Sequence, residues 1–169
     1  MSLNLKLWLD TVTTVFIVVG GILALLQLRQ THKQRSRESA LQMLHSFQTP
    51  EFLTAVNIVF DLPDGLSKAG VEQRLGDKVT CLLVMMGTFE SLGVLVFRRD
   101  IDIALVEDFF SGVLVLSRKK LQGYLDEVRR SSGRQTYYEW YQWLSEQVER
   151  RERLAPAEPS FSQYRDWTP

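Results

Sequence analysis

The sequence is poor in the residues that make chemical centres: it has one cysteine and two histidines, and its net charge is zero, with 20 Lys plus Arg against 20 Asp plus Glu. Cys81 has no second thiol with which to form a disulfide or a thiolate metal site, and His32 and His45 alone make a histidine metal centre improbable. Cys81 stands in CLLVMM among apolar neighbours and reads as an inert core residue of a reducing compartment. Balanced charge leaves no basic field to recruit nucleic acid. The sequence contains no G-x-S-x-G, P-loop or H-E-x-x-H, and Ser91, next to Glu90, has no identifiable base. Asp100 and Asp102, followed by Glu107 and Asp108, lack the glycine and third oxygen ligand of a calcium loop and read as a helix cap with a solvated acidic turn. The expectation is therefore a protein that is not an enzyme and holds no cofactor or metal.

What is present is a long apolar run at residues 11–28, TVTTVFIVVGGILALLQL, without a charge. A helix of that length rises roughly 27 Å, close to the ~30 Å hydrocarbon layer of a bilayer. A signal peptide would place its cations before the run and a small-residue cleavage site after it, whereas this run exits into Arg29, Lys33, Arg35 and Arg37. A soluble core helix would show a polar face, and here apolar side chains occupy every side. The run reads as a single transmembrane helix with Trp8 as an interfacial anchor, and the four cations place the bulk of the chain in the cytoplasm. The predicted location is the inner (cytoplasmic) membrane, single-pass, N-terminus outside. Gly20, Gly21 and Ala24 are small enough for another helix to approach closely, although such residues are also simply tolerated in spans.

The fold class predicted is all-α, one N-terminal transmembrane helix continuing into a cytoplasmic helical bundle. Its layout is a short outer segment and span over 1–28, a basic helical stalk over 29–48, a bundle over 49–154, and an aromatic tail with prolines over 155–169. On the stalk, Ala40, Leu41, Leu44 and Phe47 fall on one side. Thr49-Pro50-Glu51 predicts a helix start by hydroxyl cap, N1 proline and first-turn acid, with Phe52, Val56, Val59 and Phe60 as its apolar face. Leu62-Pro63-Asp64-Gly65 predicts a turn, and a short helix is expected over 68–75 with Gly76 ending it.

Residues 77–97 form the most apolar stretch after the span. Glu90 within it would cost about 2.5–3.5 kcal/mol in lipid, and crossing would carry Arg98 and Arg99 outward, so it reads as the central bundle helix. A buried Glu90 needs a partner; Arg129 and Arg130, with Arg134 as a further candidate, are expected to supply an ion pair. One long helix is predicted from Asp100 or Asp102 to Ser131-Ser132-Gly133, with Ile101, Leu105, Phe109, Val113, Leu116, Leu121, Leu125 and Val128 inward. After Gly133, Tyr137, Trp140, Tyr141, Leu144 and Val148 form one helical stripe, widened by Tyr138 and Trp143. Most of that area is expected to close the bundle, with Tyr137, Trp140 and Trp143 as the part that reaches a partner. In the tail, a Ser160/Gln163 capping box would present Phe161, Tyr164 and Trp167 for docking on this domain or on another protein.

Phe89-Glu90, Gly93, Ile101-Asp102, an Arg near the end of the following helix (Arg129 or Arg130) and the aromatic helix after it form a pattern. It resembles a bacterial family of unknown function, small proteins with one N-terminal span and an all-helical cytoplasmic domain. The resemblance covers roughly residues 37–144. It implies fold and topology, and no catalytic residue. Ser117 departs from it, lying near a position where the family often has Trp. The functional expectation is an interaction protein, an accessory or assembly subunit beside a larger membrane complex, with the lipid bilayer and a protein as partners and no nucleic acid. The alternative is a membrane-tethered signalling or stress-response effector that binds a small ligand in its bundle, in a pocket lined by Glu90.

Overall fold

The computed structural model describes residues 20–24, 27, 45–155 and 158–168. The chain divides into two compact units, Met1–Ala40 and Leu41–Pro169. In the first, residues 20–24 and 27 are helical and exposed, and nothing lies within 4 Å of a Cβ added at Gly20 or Gly21. The remainder of the expected span, Arg29, Lys33, Arg35 and Arg37, and the stalk up to residue 44 lie outside the described residues.

The second unit is all-α, with no strand among the described residues. Its helices are α1 (Pro50–Phe60), α2 (Lys68–Leu75), α3 (Val79–Phe97), α4 (Ile103–Lys120), α5 (Gln122–Ser132), α6 (Glu139–Leu154) and the short α7 (Ser160–Gln163); a 3-10 turn, Gly76–Lys78, joins α2 to α3. The starts follow from side-chain caps that meet otherwise orphaned amides. Thr49 Oγ1 accepts from the Phe52 amide at 3.2 Å, Ser67 Oγ from Gly70 at 3.1 Å and Asp102 Oδ1 from Ala104 at 2.9 Å. The α2 start is also held from another helix, since the Lys68 amide donates to Glu127 Oε2 of α5 at 2.8 Å. Gly133, in the left-handed region at φ 67°, ends α5.

Helices α1, α3, α6 and α4 pack in a closed ring, α1 on α3, α3 on α6, α6 on α4 and α4 on α1, while α2 packs on α5 at the side. The centre of the ring is aromatic. Phe47 meets Phe52 edge-on at 4.8 Å and stacks on Phe110 at 3.8 Å, Phe89 meets Phe52 at 5.5 Å, and Phe89 stacks on Tyr141 at 5.3 Å. Each such pair contributes about 0.5–1.5 kcal/mol beyond the area it removes from water. Lys68–Phe97 is, among the described residues, the run long and apolar enough to cross a membrane. Leu82, Met85, Met86, Phe89, Leu92, Gly93 and Val96 of it are nevertheless buried in the ring, as a central bundle helix requires.

Four local expectations are corrected. The helix after Asp102 is broken at Leu121, whose ψ of 9° leaves the helical region; two residues on, Gly123 lies so close to the Gly65–Leu66 loop that a Cβ there would sit 2.6 Å from the Leu66 carbonyl. On α4 the expected Leu105 and Val113 do pack against the core, with Phe110 beside them and Val106, Leu114 and Ser117 fully buried, whereas Phe109 is exposed. Tyr137 is not on α6, which starts at Glu139 after Tyr138 in the left-handed region. In the tail no capping box forms; α7 starts behind Pro159, without a side-chain cap.

Candidate functional site

The residues singled out in the central helix come together at one joint, where α3 meets the N-terminus of α6. Phe89 lays its ring on Tyr141, nearly parallel at 11°. One residue on, Glu90 Oε2 accepts the Tyr141 amide at 2.8 Å. One turn further, Gly93 lies directly under the backbone of α6: an added Cβ would be 2.4 Å from the Trp140 carbonyl oxygen. Helix α6 has no side-chain cap of its own, because Tyr138 at its N-cap position has φ 53° and ψ 39°. Glu90 takes over that role from the neighbouring helix, bringing negative charge to the positive end of the α6 dipole.

Glu90 therefore does not form the expected ion pair. Among the described residues no cation lies within 4 Å of its carboxylate; its partners are amides of the α6 terminus. Burial raises the Glu90 carboxyl above its ordinary value, and the backbone bonds from Tyr141 and Trp140 oppose that shift. Arg129 acts on the same joint by a different route. Its Nε donates to the Tyr137 carbonyl at 2.9 Å, Nη2 to the Tyr138 carbonyl at 3.3 Å and Nη1 to Gln142 Oε1 at 2.6 Å, which fixes the left-handed lead-in to α6. Arg130 is exposed and Arg134 is exposed. Sequence patterns alone could not have shown this partner, since backbone amides carry no residue signature.

Beside the joint lies a buried polar pair that no motif in the sequence announces. The hydroxyls of Ser117 and Tyr141 are 2.6 Å apart, and Ser117 Oγ also lies 3.2 Å from the Leu114 carbonyl. Burial pushes the Tyr141 phenol up. Ser117 was visible only as the departure from the resembling family, and the phenol fills the space above it.

The aromatic residues expected to reach a partner separate into two groups. Trp140 and Trp143 meet each other at 5.9 Å and both meet Phe97, at 4.8 and 5.9 Å, making an aromatic ridge at the C-terminal end of α3 on which Phe97 is 58% exposed. Tyr137 is exposed nearby in sequence, against Tyr138 at 6.3 Å. Phe161, Tyr164 and Trp167 are all exposed on and after α7, which buries no residue. Among the clefts formed by the described residues are one of about 560 Å³ between α4, the end of α6 and the tail, lined by Glu107, Asp108, Arg151 and Glu158, and one of about 420 Å³ at the junction of α4, α5 and α6. Glu90 lines neither. No group of three or more His, Cys, Asp or Glu suited to a metal ion occurs among the described residues.

A family model described as a domain of unknown function (DUF4760) matches residues 14–148, which takes in all of α1 to α5 and α6 as far as Val148. Neither a curated protein nor a solved structure matches the chain.

Proposed function

The chain belongs to the DUF4760 family, and we propose that it is a membrane-anchored helical interaction protein, an accessory or assembly subunit of a larger membrane complex that works by contact and without catalysis of its own. Residues 11–28 anchor it in the inner membrane as a single pass, and Arg29, Lys33, Arg35 and Arg37 keep the bundle on the cytoplasmic side. Gly20, Gly21 and Ala24 give a neighbouring span a place to approach. The observation that carries this reading is the ridge of Phe97, Trp140 and Trp143. Three large rings gathered on one surface, rather than scattered singly, are the composition of a contact hot spot. Tyr137 and the tail residues Phe161, Tyr164 and Trp167 are exposed as well.

Purification of the full-length chain in a mild detergent from its native membrane tests the reading. The expected result is a defined partner at fixed stoichiometry, with recovery lowered by Phe97→Ser and by deletion of residues 155–169. Solubility of the full-length chain without detergent, labelling of its C-terminus from outside intact cells, or undiminished recovery in both variants would overturn it.

A further inference from the structure

The last turn of α4 carries three cations in a row, Arg118, Lys119 and Lys120. Lys120 Nζ donates to the Leu62 carbonyl at 2.6 Å, and both lysines pair with Asp64, at 3.0 and 3.1 Å. Arg118 instead turns inward and is 6% exposed. A guanidinium brings five N–H donors and keeps its charge, so a buried one needs acceptors on both edges and an opposing carboxylate. Arg118 lacks them. Nη1 donates to Gln122 Oε1, Nε is buried without a partner, and among the described residues no carboxylate lies within 4 Å.

The nearby acids are held elsewhere. Gln122 Nε2 takes both oxygens of Asp126 at 2.9 Å, and Gln142 Nε2 takes Glu146 Oε1 at 2.7 Å. Burial lowers the Arg118 pKa, and Arg129 lowers it further, against Asp126 and Glu146. With Nη1 on Gln122 and Nε sealed from solvent, Nη2 is the donor left for an acceptor from outside the chain.

Arg118 lies on the cleft of about 420 Å³, within the ~300–1,000 Å³ of small-molecule sites. Buried Ser145 lines it too, as do Gln122, Gln142 and the acids Glu146 and Glu149. Lys119, which also lines the cleft, is taken up by Asp64, so the cleft presents one buried cation and the carboxylates of Glu146 and Glu149, of which Glu149 also pairs with Arg153 at 3.9 Å. A dianion such as phosphate would meet repulsion from the latter pair, whereas a molecule carrying one carboxylate and one ammonium group satisfies both.

We propose that the cleft between α4, α5 and α6 binds a small zwitterion of the α-amino-acid class, its carboxylate on the Arg118 guanidinium at Nη2 and its ammonium group toward Glu146 and Glu149. This inference is independent of the membrane-subunit reading and would stand if that reading failed. Isothermal titration of the full-length chain in detergent with each of the twenty protein amino acids, with acetate and with inorganic phosphate tests it. Saturable one-site binding of at least one amino acid is expected, with acetate and phosphate at least tenfold weaker. Arg118→Gln should abolish that binding. Because a core arginine variant can misfold, the exposed pair Glu146→Gln and Glu149→Gln is the second arm, expected to weaken the amino acid at least tenfold and to leave acetate unchanged or tighter. No saturable binding of any amino acid up to 10 mM, tighter binding of phosphate, or undiminished binding in the Glu146/Glu149 variant would overturn the proposal.

Discussion

Alanine at Gly93 and at Gly87 should change stability in opposite directions, although the two glycines are six residues apart on the same helix. Intrinsic helix propensity treats them alike: Gly→Ala inside a helix stabilises by about 0.5–1 kcal/mol, since the unfolded chain loses conformational freedom. At Gly87 nothing lies within 4 Å of the added methyl, so that gain should appear undiminished. At Gly93 the methyl would meet the Trp140 carbonyl oxygen at 2.4 Å, its carbon at 2.8 Å and the Trp140 Cβ at 2.9 Å. All three belong to the backbone or its root, and no flexible side-chain end can swing away.

Moving the oxygen from 2.4 Å to the 3.4 Å where ordinary contact begins opens the α3–α6 joint by about 1 Å. Overpacking of this kind costs about 1–3 kcal/mol. The same displacement stretches the 2.8 Å bond from the Tyr141 amide to Glu90, one of the class worth about 1.5–3 kcal/mol when a charged group takes part. After subtraction of the propensity gain, and with that bond weakened and not lost, Gly93→Ala should destabilise by about 1–3 kcal/mol and lower the melting temperature by about 2–12 °C. Circular dichroism melts and urea titrations of full-length protein in one detergent, with Gly87→Ala as the matched control, measure both. If Gly93→Ala proves as stable as wild type or more so, the close approach of α3 and α6 is wrong, and with it the assignment of Glu90 as the cap of α6.

Glu90→Gln should gain stability relative to wild type as pH rises. The Glu90 carboxyl is raised above 4.5, chiefly by burial, so the stability it contributes is complete below 4.5 and is lost as pH rises through the raised value; urea midpoints from pH 4 to 8 showing the reverse trend would refute this. Arg129→Ala removes three hydrogen bonds from the lead-in to α6 and should cost about 2–4 kcal/mol, with faster amide exchange over residues 137–142 as the local signature. Ser117→Ala and Tyr141→Phe should each cost about 1 kcal/mol, and the double variant less than the two together, since both break the same 2.6 Å contact; strict additivity in denaturant titrations would show that the hydroxyls do not interact.

Local chemistry made much of the fold legible in the sequence. Thr49-Pro50 and Asp102 cap as their side chains require, and Gly133 stops α5 because a left-handed residue there costs glycine little. The central position of α3 followed from its apolar length interrupted by one carboxylate. Features set by distant parts of the chain were not legible. The break at Leu121 has no glycine or proline at the residue itself, and the close approach of the Gly65–Leu66 loop to Gly123 beside it involves residues far apart in the chain. Phe109 and Phe110 are adjacent, so periodicity alone could choose the wrong one to face Phe47. The ion pair expected for Glu90 was wrong in kind: charge complementarity looks for a guanidinium, and a helix terminus supplies the same sign of potential without any residue to name it.

The contrast between the two arginines that flank Gln122 and Gln142 shows where function is to be sought. Arg129 donates to three acceptors of its own chain, and Phe89, Glu90, Gly93 and Asp102 likewise make their contacts within the bundle. Residues so satisfied hold the fold and have nothing left to offer a partner. Arg118 is buried at least as deeply, yet its Nε is unmet. Phe97 belongs to the same helix as Phe89, Glu90 and Gly93, yet lies 58% exposed against two indoles. A guanidinium buried with one donor unmet and a phenyl ring left in water beside two indoles both oppose folding. Each is relieved by a contact the isolated chain does not make for itself.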